Sequence, residues 1–161
     1  MKVKKSVFTS LICLVAVFLF SGVLARSENF TLEQVMSYAF PSQLTPSPQG
    51  DLVAWVFNHQ GRRNIWIAQG PDYKPKQLTS YDQDDGQEVG QLSFNYDGTL
   101  IVYVRGGAPN RAGENPNPTS NPQGASQDIW VIPVSGGAPW KIGPGSNPVP
   151  SPTSNEIVFL R

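Results

Sequence analysis

The chain has 161 residues, and its 12 Lys and Arg balance its 12 Asp and Glu. Gly and Pro each occur 15 times, and their combined share is well above the roughly 12% of an average protein. This composition excludes a helical bundle. Charged residues make up only 15% of the chain, so neither nucleic acid nor an anionic membrane surface is an expected partner.

Residues 1–25 have the pattern of a secretory signal peptide. Three lysines within the first five residues precede an apolar run that ends at Phe20, and short side chains lead up to Ala25. We therefore expect cleavage after Ala25 and export to the periplasm or the extracellular space. The alternative is an uncleaved membrane anchor. Contact with a membrane is expected only through the signal peptide or through such an anchor. The single cysteine, Cys13, lies in the apolar run, so the exported part has no disulfide.

Residues 26–41 are predicted to form a separate N-terminal segment with a short helix. Thr31 stands at the cap position and Gln34 follows three residues later, which is the pattern of a capping box. Pro41 ends the segment. The rest of the chain, residues 42–161, is predicted to be one domain.

This predicted domain contains a turn followed by an apolar strand three times over. The second copy lies 48 positions after the first, and the third lies 56 positions after the second. Pro, Gly and other turn-forming residues open each copy, and β-branched and aromatic residues follow them. The three copies are Ser47–Val56, Asn95–Val104 and Ser151–Leu160.

A second repeated element, Asn64–Ala68 and Asp128–Ile132, also reads as a strand. Each copy is followed by a polar turn and another short segment, and a further strand is predicted ahead of the turn, as Glu88–Phe94 in the second repeat and Pro148–Pro150 in the third. Four strands are therefore predicted in each repeat. A period near 50 residues with four antiparallel strands is typical of β-propeller blades. The predicted fold is all-β: a partial β-propeller of two four-stranded antiparallel blades and half of a third, after a short N-terminal helix. A propeller needs about four to eight blades, so we expect the chain to be the N-terminal part of a longer protein. The alternative is a complete small β-sandwich.

The longest irregular stretch, Gly106–Gln127, is rich in Gly, Pro and Asn and is predicted to be a loop. Long loops on a compact scaffold often carry function. Three charged residues, Arg105, Arg111 and Glu114, are the candidates for contacting a substrate, because Arg can bind a carboxylate and Glu can bind an amine.

No catalytic, cofactor or metal site is predicted. A hydrolase elbow needs Gly-x-Ser-x-Gly, and the nearest match, Gly124–Asp128, lacks the final Gly and runs into a strand. His59 is the only histidine, which is too few for a zinc site. The acidic run Asp82–Gly86 has its Gly one place too early for a calcium-binding loop.

The chain resembles the N-terminal part of exported bacterial serine peptidases of the S9 (prolyl oligopeptidase) family, of the dipeptidyl peptidase IV and acylaminoacyl-peptidase type. Four features carry the resemblance: the signal peptide, the entry segment Phe30–Val35, the Ile-Trp-Val/Ile strands and the long-loop strings Tyr103–Gly107 and Asn110–Glu114. The resemblance implies a WD40-like propeller that caps a C-terminal α/β-hydrolase domain and admits short peptides to it. The catalytic Ser, Asp and His of that domain have no counterpart in this sequence.

The turns are also similar to the Ser-Pro-Asp-Gly turns in the WD40-like repeats of TolB. They occur here as Ser47–Gly50 and Asn95–Gly98. That similarity implies the alternative function, a periplasmic propeller that binds other proteins or acts as a scaffold.

Overall fold

The computed structural model describes residues 30–161. The chain divides into two compact units, Met1–Val35 and Met36–Arg161, and only residues 30–35 of the first unit are described. The predicted signal peptide and its cleavage at Ala25 lie outside the described residues. Within residues 30–161, no helix is both long enough and apolar enough to cross a membrane.

The predicted short helix is present as α1, Leu32–Ser37. Its capping box forms as predicted. The backbone N–H of Gln34 donates to the Thr31 hydroxyl at 3.1 Å, and the backbone N–H of Thr31 donates to the Gln34 side-chain oxygen at 2.9 Å. These two bonds satisfy donors that the first turn of a helix leaves free.

The strands of residues 36–161 form three antiparallel sheets, each joined in chain order. The first sheet contains β1 (Phe40–Pro46), β2 (Leu52–His59), β3 (Arg62–Gln69) and β4 (Lys76–Gln77). The second contains β5 (Val89–Phe94), β6 (Leu100–Arg105), β7 (Asp128–Pro133) and β8 (Trp140–Pro144). The third has two strands, β9 (Ser146–Pro150) and β10 (Ile157–Leu160).

These sheets confirm the prediction of a mostly β fold with four-stranded antiparallel sheets and one short helix. The described strands do not close into a ring. β1 begins at Phe40, two residues before the predicted boundary at residue 42.

The three predicted turns share one hydrogen-bonding pattern. The first residue of each turn donates its N–H to the carbonyl five residues later: Ser47 to Leu52 at 2.7 Å, Asn95 to Leu100 at 3.0 Å, and Ser151 to Glu156 at 2.9 Å. In the first two turns a glycine at positive φ, Gly50 or Gly98, closes the turn. The sequence repeat therefore corresponds to a repeat of backbone geometry.

The main core lies between the first and second sheets. Side chains alternate between the two faces of a strand, so every second residue of β2 and β3 points toward the second sheet. Fully buried members include Ala54, Ile65, Ile101, Tyr103 and Ile132. A smaller core of Val102, Val104, Ile129 and Val131 lies on the opposite face of the second sheet, where Ile157 and Phe159 of the third sheet pack. The second sheet is thus covered on both faces.

A ladder of side-chain amides joins the first strands of the three sheets. The Gln43 side-chain oxygen accepts the N–H of Gln91 at 3.0 Å, and the Gln91 side-chain oxygen accepts the N–H of Asn147 at 2.7 Å. All three residues have positive φ, between 51° and 59°, and lie where the strand pairing shifts register. The intervals, 48 and 56 positions, are those of the sequence repeat. Each sheet is therefore joined to the next in the same way.

Candidate functional site

A polar cavity of about 280 Å³ lies at the end of the second sheet where β6 ends and β7 begins. The long loop of residues 106–127 joins these two strands and supplies part of the wall. Most of the lining groups can form hydrogen bonds, and four are charged. Its main polar residues are Asp85, Arg105, Asn117, Ser126, Asp128 and Lys141.

Arg105, the last residue of β6, is held on two sides. Its guanidinium forms an ion pair with the carboxylate of Asp85 and lies over the ring of Tyr81, with Cζ 4.3 Å from the ring centre. Its Nε is buried and has no hydrogen-bond partner in the described part of the chain. The side chains of Arg105 and Asp85 are half-buried, with 23% and 35% exposed, so their attraction is screened less than that of a fully exposed pair.

Asp128, the first residue of β7, is directly opposite Arg105 in the sheet. Only 5% of Asp128 is exposed. Its carboxylate accepts a hydrogen bond from the Ser126 hydroxyl and one from the Lys141 ammonium at 3.4 Å. The site therefore brings two cations and two carboxylates together at one end of the sheet.

The long loop packs against the connection between β4 and β5. Pro118 lies over Gly86, where an added Cβ would be 2.1 Å from the proline Cγ, and Pro116 lies over Gly107. Within the loop, Asn117 and Asn121 exchange two hydrogen bonds of 2.9 and 3.0 Å. These contacts fix the loop wall of the cavity.

Of the three candidate substrate contacts, only Arg105 lines this cavity. Glu114 is exposed, and its carboxylate accepts a hydrogen bond from the Asn110 amide at 2.9 Å within a local turn. Arg111 is exposed and forms no ion pair with any residue in 30–161. The structure does not bring the three residues together in one site.

Sequence reasoning missed the other charged members, Asp85, Asp128 and Lys141. The repeat carried a usable signal for Asp128, because it occupies the position of Asn64 in the first sheet. Asn64 lies in β3 and Asp128 begins β7, which are the third strands of their sheets, and both residues are buried. A buried polar residue recurring at the same repeat position indicates a site that needs hydrogen bonds.

Asn64 anchors Tyr81, and so supports the ring on which Arg105 lies. The Asn64 amide donates to the Tyr81 carbonyl at 2.8 Å, and its oxygen accepts the Tyr81 N–H at 2.7 Å. The hydroxyl of Thr79, which is 2% exposed, donates to the same oxygen at 2.9 Å and accepts the N–H of Ile65 at 2.9 Å. All four bonds form in a buried or half-buried network.

We expect Asn64→Ala to lower the free energy of unfolding by about 2 kcal/mol, because it leaves buried polar groups of Thr79 and Tyr81 without partners. Urea unfolding followed by circular dichroism measures the loss. The matched control is Asn121→Ala, an exposed asparagine whose side-chain oxygen accepts one local hydrogen bond, from the N–H of Gln123 at 3.0 Å, and for which we expect less than about 0.5 kcal/mol. Equal losses in the two variants would contradict the anchoring role.

Two tyrosines share a hydrogen bond beneath Arg105. The hydroxyls of Tyr81 and Tyr103 are 2.7 Å apart, and Tyr103 is fully buried. Burial raises the pKa of Tyr103, and the neighbouring Tyr81 raises it further, against a smaller lowering by Arg105. Burial also raises the pKa of Tyr81. Both hydroxyls therefore stay protonated in the folded protein at pH values where free tyrosine ionises.

This shift predicts a loss of stability in alkali. The unfolded chain releases the tyrosine protons near pH 10, whereas the folded chain retains them, so folding stability is full below about pH 10 and falls as the pH rises above it. We expect Tyr103→Phe to fall less steeply than the unchanged protein when urea midpoints are compared between about pH 8 and pH 11. Parallel slopes for the two proteins would contradict the assignment.

His59 lies away from the cavity, at the end of β2. Its Nδ1 is 3.3 Å from the Arg62 guanidinium, within the turn between β2 and β3. No group of three or more His, Cys, Asp or Glu side chains in residues 30–161 is arranged to hold a metal ion.

No family model fits the chain, and no curated protein matches its sequence. The site must be judged by its own chemistry. Its two cations and two carboxylates sum to no net charge, so it suits a neutral or zwitterionic polar molecule better than a polyanion.

Proposed function

We propose that this chain is the non-catalytic N-terminal β-propeller portion of an exported serine peptidase of the prolyl oligopeptidase family. In this proposal the sheets are propeller blades, and the propeller admits short peptides to a C-terminal α/β-hydrolase domain. The proposal assigns no catalytic residue, metal or cofactor to the chain itself.

The observation that carries the propeller assignment is the repeated join between successive sheets. The amide ladder through Gln43, Gln91 and Asn147 repeats at the intervals of the sequence repeat. The two cores on either face of the second sheet also use equivalent residues of the repeat. Ile101 and Tyr103 pack in the core shared with the first sheet, and their equivalents Ile157 and Phe159 pack in the core shared between the second and third sheets. Each sheet joins the next through the same contacts, and the second sheet buries its two faces against its two neighbours. Both properties are typical of the blades of a propeller.

The peptidase assignment depends on the resemblance of the entry segment and the long loop, with the polar cavity as additional support. The cavity lies at a loop end of the second sheet, is built partly by the long loop, and has a charge balance suited to peptides. Loops at one end of a rigid scaffold are a common place for ligand contacts.

Labelling of the native protein with a fluorophosphonate, which reacts with activated serine, tests this proposal. An antibody against residues 30–46 identifies the protein in extracts of the cells that produce it. We expect a labelled species much heavier than the 17.6 kDa of this chain. Competition with unlabelled fluorophosphonate is the control and should remove the signal.

Two other results would contradict the peptidase proposal. A heavier species that stays unlabelled, although other serine hydrolases in the extract are labelled, would favour the TolB-like scaffold. A native species no heavier than 17.6 kDa would mean that no hydrolase domain is attached.

A further inference from the structure

The second sheet carries charged side chains at two positions where the first sheet carries amides. Asp128 occupies the repeat position of Asn64, and Lys141 occupies that of Gln77 in the pairing of the third and fourth strands. Neutral amides therefore meet the needs of the fold at these positions. The charged pair occurs in the sheet whose long loop walls the polar cavity, which indicates a role in binding there.

The four charges of the cavity are already paired within it. Arg105 forms an ion pair with Asp85, and the Lys141 ammonium lies 3.4 Å from the Asp128 carboxylate. A charged ligand would have to break one of these pairs or remain without a counter-charge, and either change is costly in a half-buried site. The cavity therefore favours a ligand without charge.

The buried carboxylate of Asp128 keeps one oxygen for a ligand. Its side chain is 7% exposed and lines the cavity, and both of its hydrogen bonds fall on Oδ2, so Oδ1 accepts none from residues 30–161. Thr119 and Ser126 add hydroxyl groups to the wall. Ligand hydroxyls match this wall, because each can donate to a carboxylate and accept from another hydroxyl.

Trp130 gives the cavity an apolar surface beside these polar groups. It is half-buried, packing against the main core while it lines the cavity. A sugar ring matches this combination, because its C–H groups can lie on an aromatic ring while its hydroxyls reach polar neighbours. The volume of about 280 Å³ is just below the roughly 300–1,000 Å³ of typical ligand pockets, so one ring fits better than an extended chain.

We propose that this cavity binds one uncharged sugar ring, with the C–H groups of the ring against Trp130 and its hydroxyls bonded to Asp128 and the long loop. A peptide group is also uncharged, but the aromatic surface and the small volume favour the ring. The proposal concerns the second sheet and its loop, and it does not depend on the peptidase function.

The indole N–H signals of the isotope-labelled full chain, observed by NMR, test the proposal. Trp130→Leu and Trp66→Leu assign two of these signals by their loss. Trp66 has the same repeat position in the first sheet and lies outside the cavity. The probes are the methyl glycosides of glucose, galactose, mannose and N-acetylglucosamine. We expect at least one probe to shift the Trp130 signal but not the Trp66 signal, with a Kd of about 1–10 mM.

Three variants locate the binding, which is then measured by saturation transfer to the signals of the sugar. Trp130→Leu should weaken binding about tenfold or more, because the aromatic surface is lost. Trp66→Leu is the matched control and should bind like the unchanged chain. Asp128→Asn should weaken binding about fivefold, because a charge-assisted hydrogen bond becomes a neutral one. The first sheet has Asn64 at this position, so the fold accepts the substitution and the test stays decisive if Trp130→Leu does not fold.

Four results would overturn the proposal. The first is that none of the four probes shifts the Trp130 signal at concentrations well above the expected Kd. The second is that Trp130→Leu, folded by circular dichroism, binds the sugar as well as Trp66→Leu does. The third is that Asp128→Asn binds it like the unchanged chain. The fourth is that a neutral capped peptide, N-acetyl-trialanine amide, shifts the Trp130 signal with a lower Kd than every sugar. None of these results bears on fluorophosphonate labelling of the native protein.

Discussion

Tyr103→Ala should destabilise the protein by about 3–5 kcal/mol, a large part of the roughly 5–15 kcal/mol that holds a typical domain together. Tyr103 is fully buried between the first and second sheets and shares a hydrogen bond with Tyr81. The substitution leaves a cavity in the core and the Tyr81 hydroxyl without its partner. Urea unfolding monitored by circular dichroism gives the size of the loss.

Tyr96→Ala is the matched control for this prediction. Tyr96 lies in the turn before β6 and is 48% exposed, so removing its ring should change stability by less than about 0.5 kcal/mol. Tyr103→Phe separates the two contributions, because it keeps the ring and loses only the hydroxyl; a loss of about 1 kcal/mol is expected. If Tyr103→Ala cost no more than Tyr96→Ala, the central place of Tyr103 in the core would be contradicted.

Gly106→Ala should cost about 3 kcal/mol, although it adds a single methyl group. Gly106 has φ of 106°, and a Cβ there would lie 2.1 Å from the Ser126 carbonyl oxygen. The clashing atom is backbone, so it cannot move aside by a side-chain rotation. Relief requires separating the two ends of the long loop, which also displaces Ser126, a residue that lines the polar cavity.

Gly113→Ala is the control, because Gly113 also has positive φ, 82°, but an added Cβ there meets nothing within 4 Å. It should cost only the roughly 1 kcal/mol of the unfavourable backbone conformation. Urea unfolding measures both variants, and limited proteolysis of the loop should be faster in Gly106→Ala alone. Similar losses in the two variants would show that the close approach to Ser126 is unimportant.

The sequence repeat predicted the turns and the second and third strands well because these elements depend on local chemistry. Turn residues followed by β-branched and aromatic residues specify a strand without reference to distant parts of the chain. The first strand of the second sheet was also predicted, as Glu88–Phe94 against the observed Val89–Phe94, but the register shifts in the first strands were not. Their register shifts place Gln43 and Gln91 at positive φ, and glutamine gives no local signal for that conformation.

The candidate site was predicted only in part because its contacts join distant segments. Arg105 was predicted from its place beside the long loop, but its partner Asp85 lies 20 positions earlier in a connection that reads as solvent-exposed. Arg111 and Glu114 were chosen by charge and position, and the turn around Asn110 directs the Glu114 carboxylate to a local bond. Charge and loop position alone do not predict which side chains share a cavity.

The two repeats differ in the length of the loop between their second and third strands, and this difference shows where the fold accepts insertions. In the first repeat β2 and β3 are joined by two residues, Gln60 and Gly61, whereas in the second β6 and β7 are joined by residues 106–127. The amide ladder nevertheless joins the first sheet to the second and the second sheet to the third by the same kind of bond. The hairpin tip therefore tolerates an insertion of some twenty residues without altering the scaffold, since loop length carries only a slowly growing entropy cost. New recognition loops can be acquired there by insertion alone, one sheet at a time, while the sheets keep their packing.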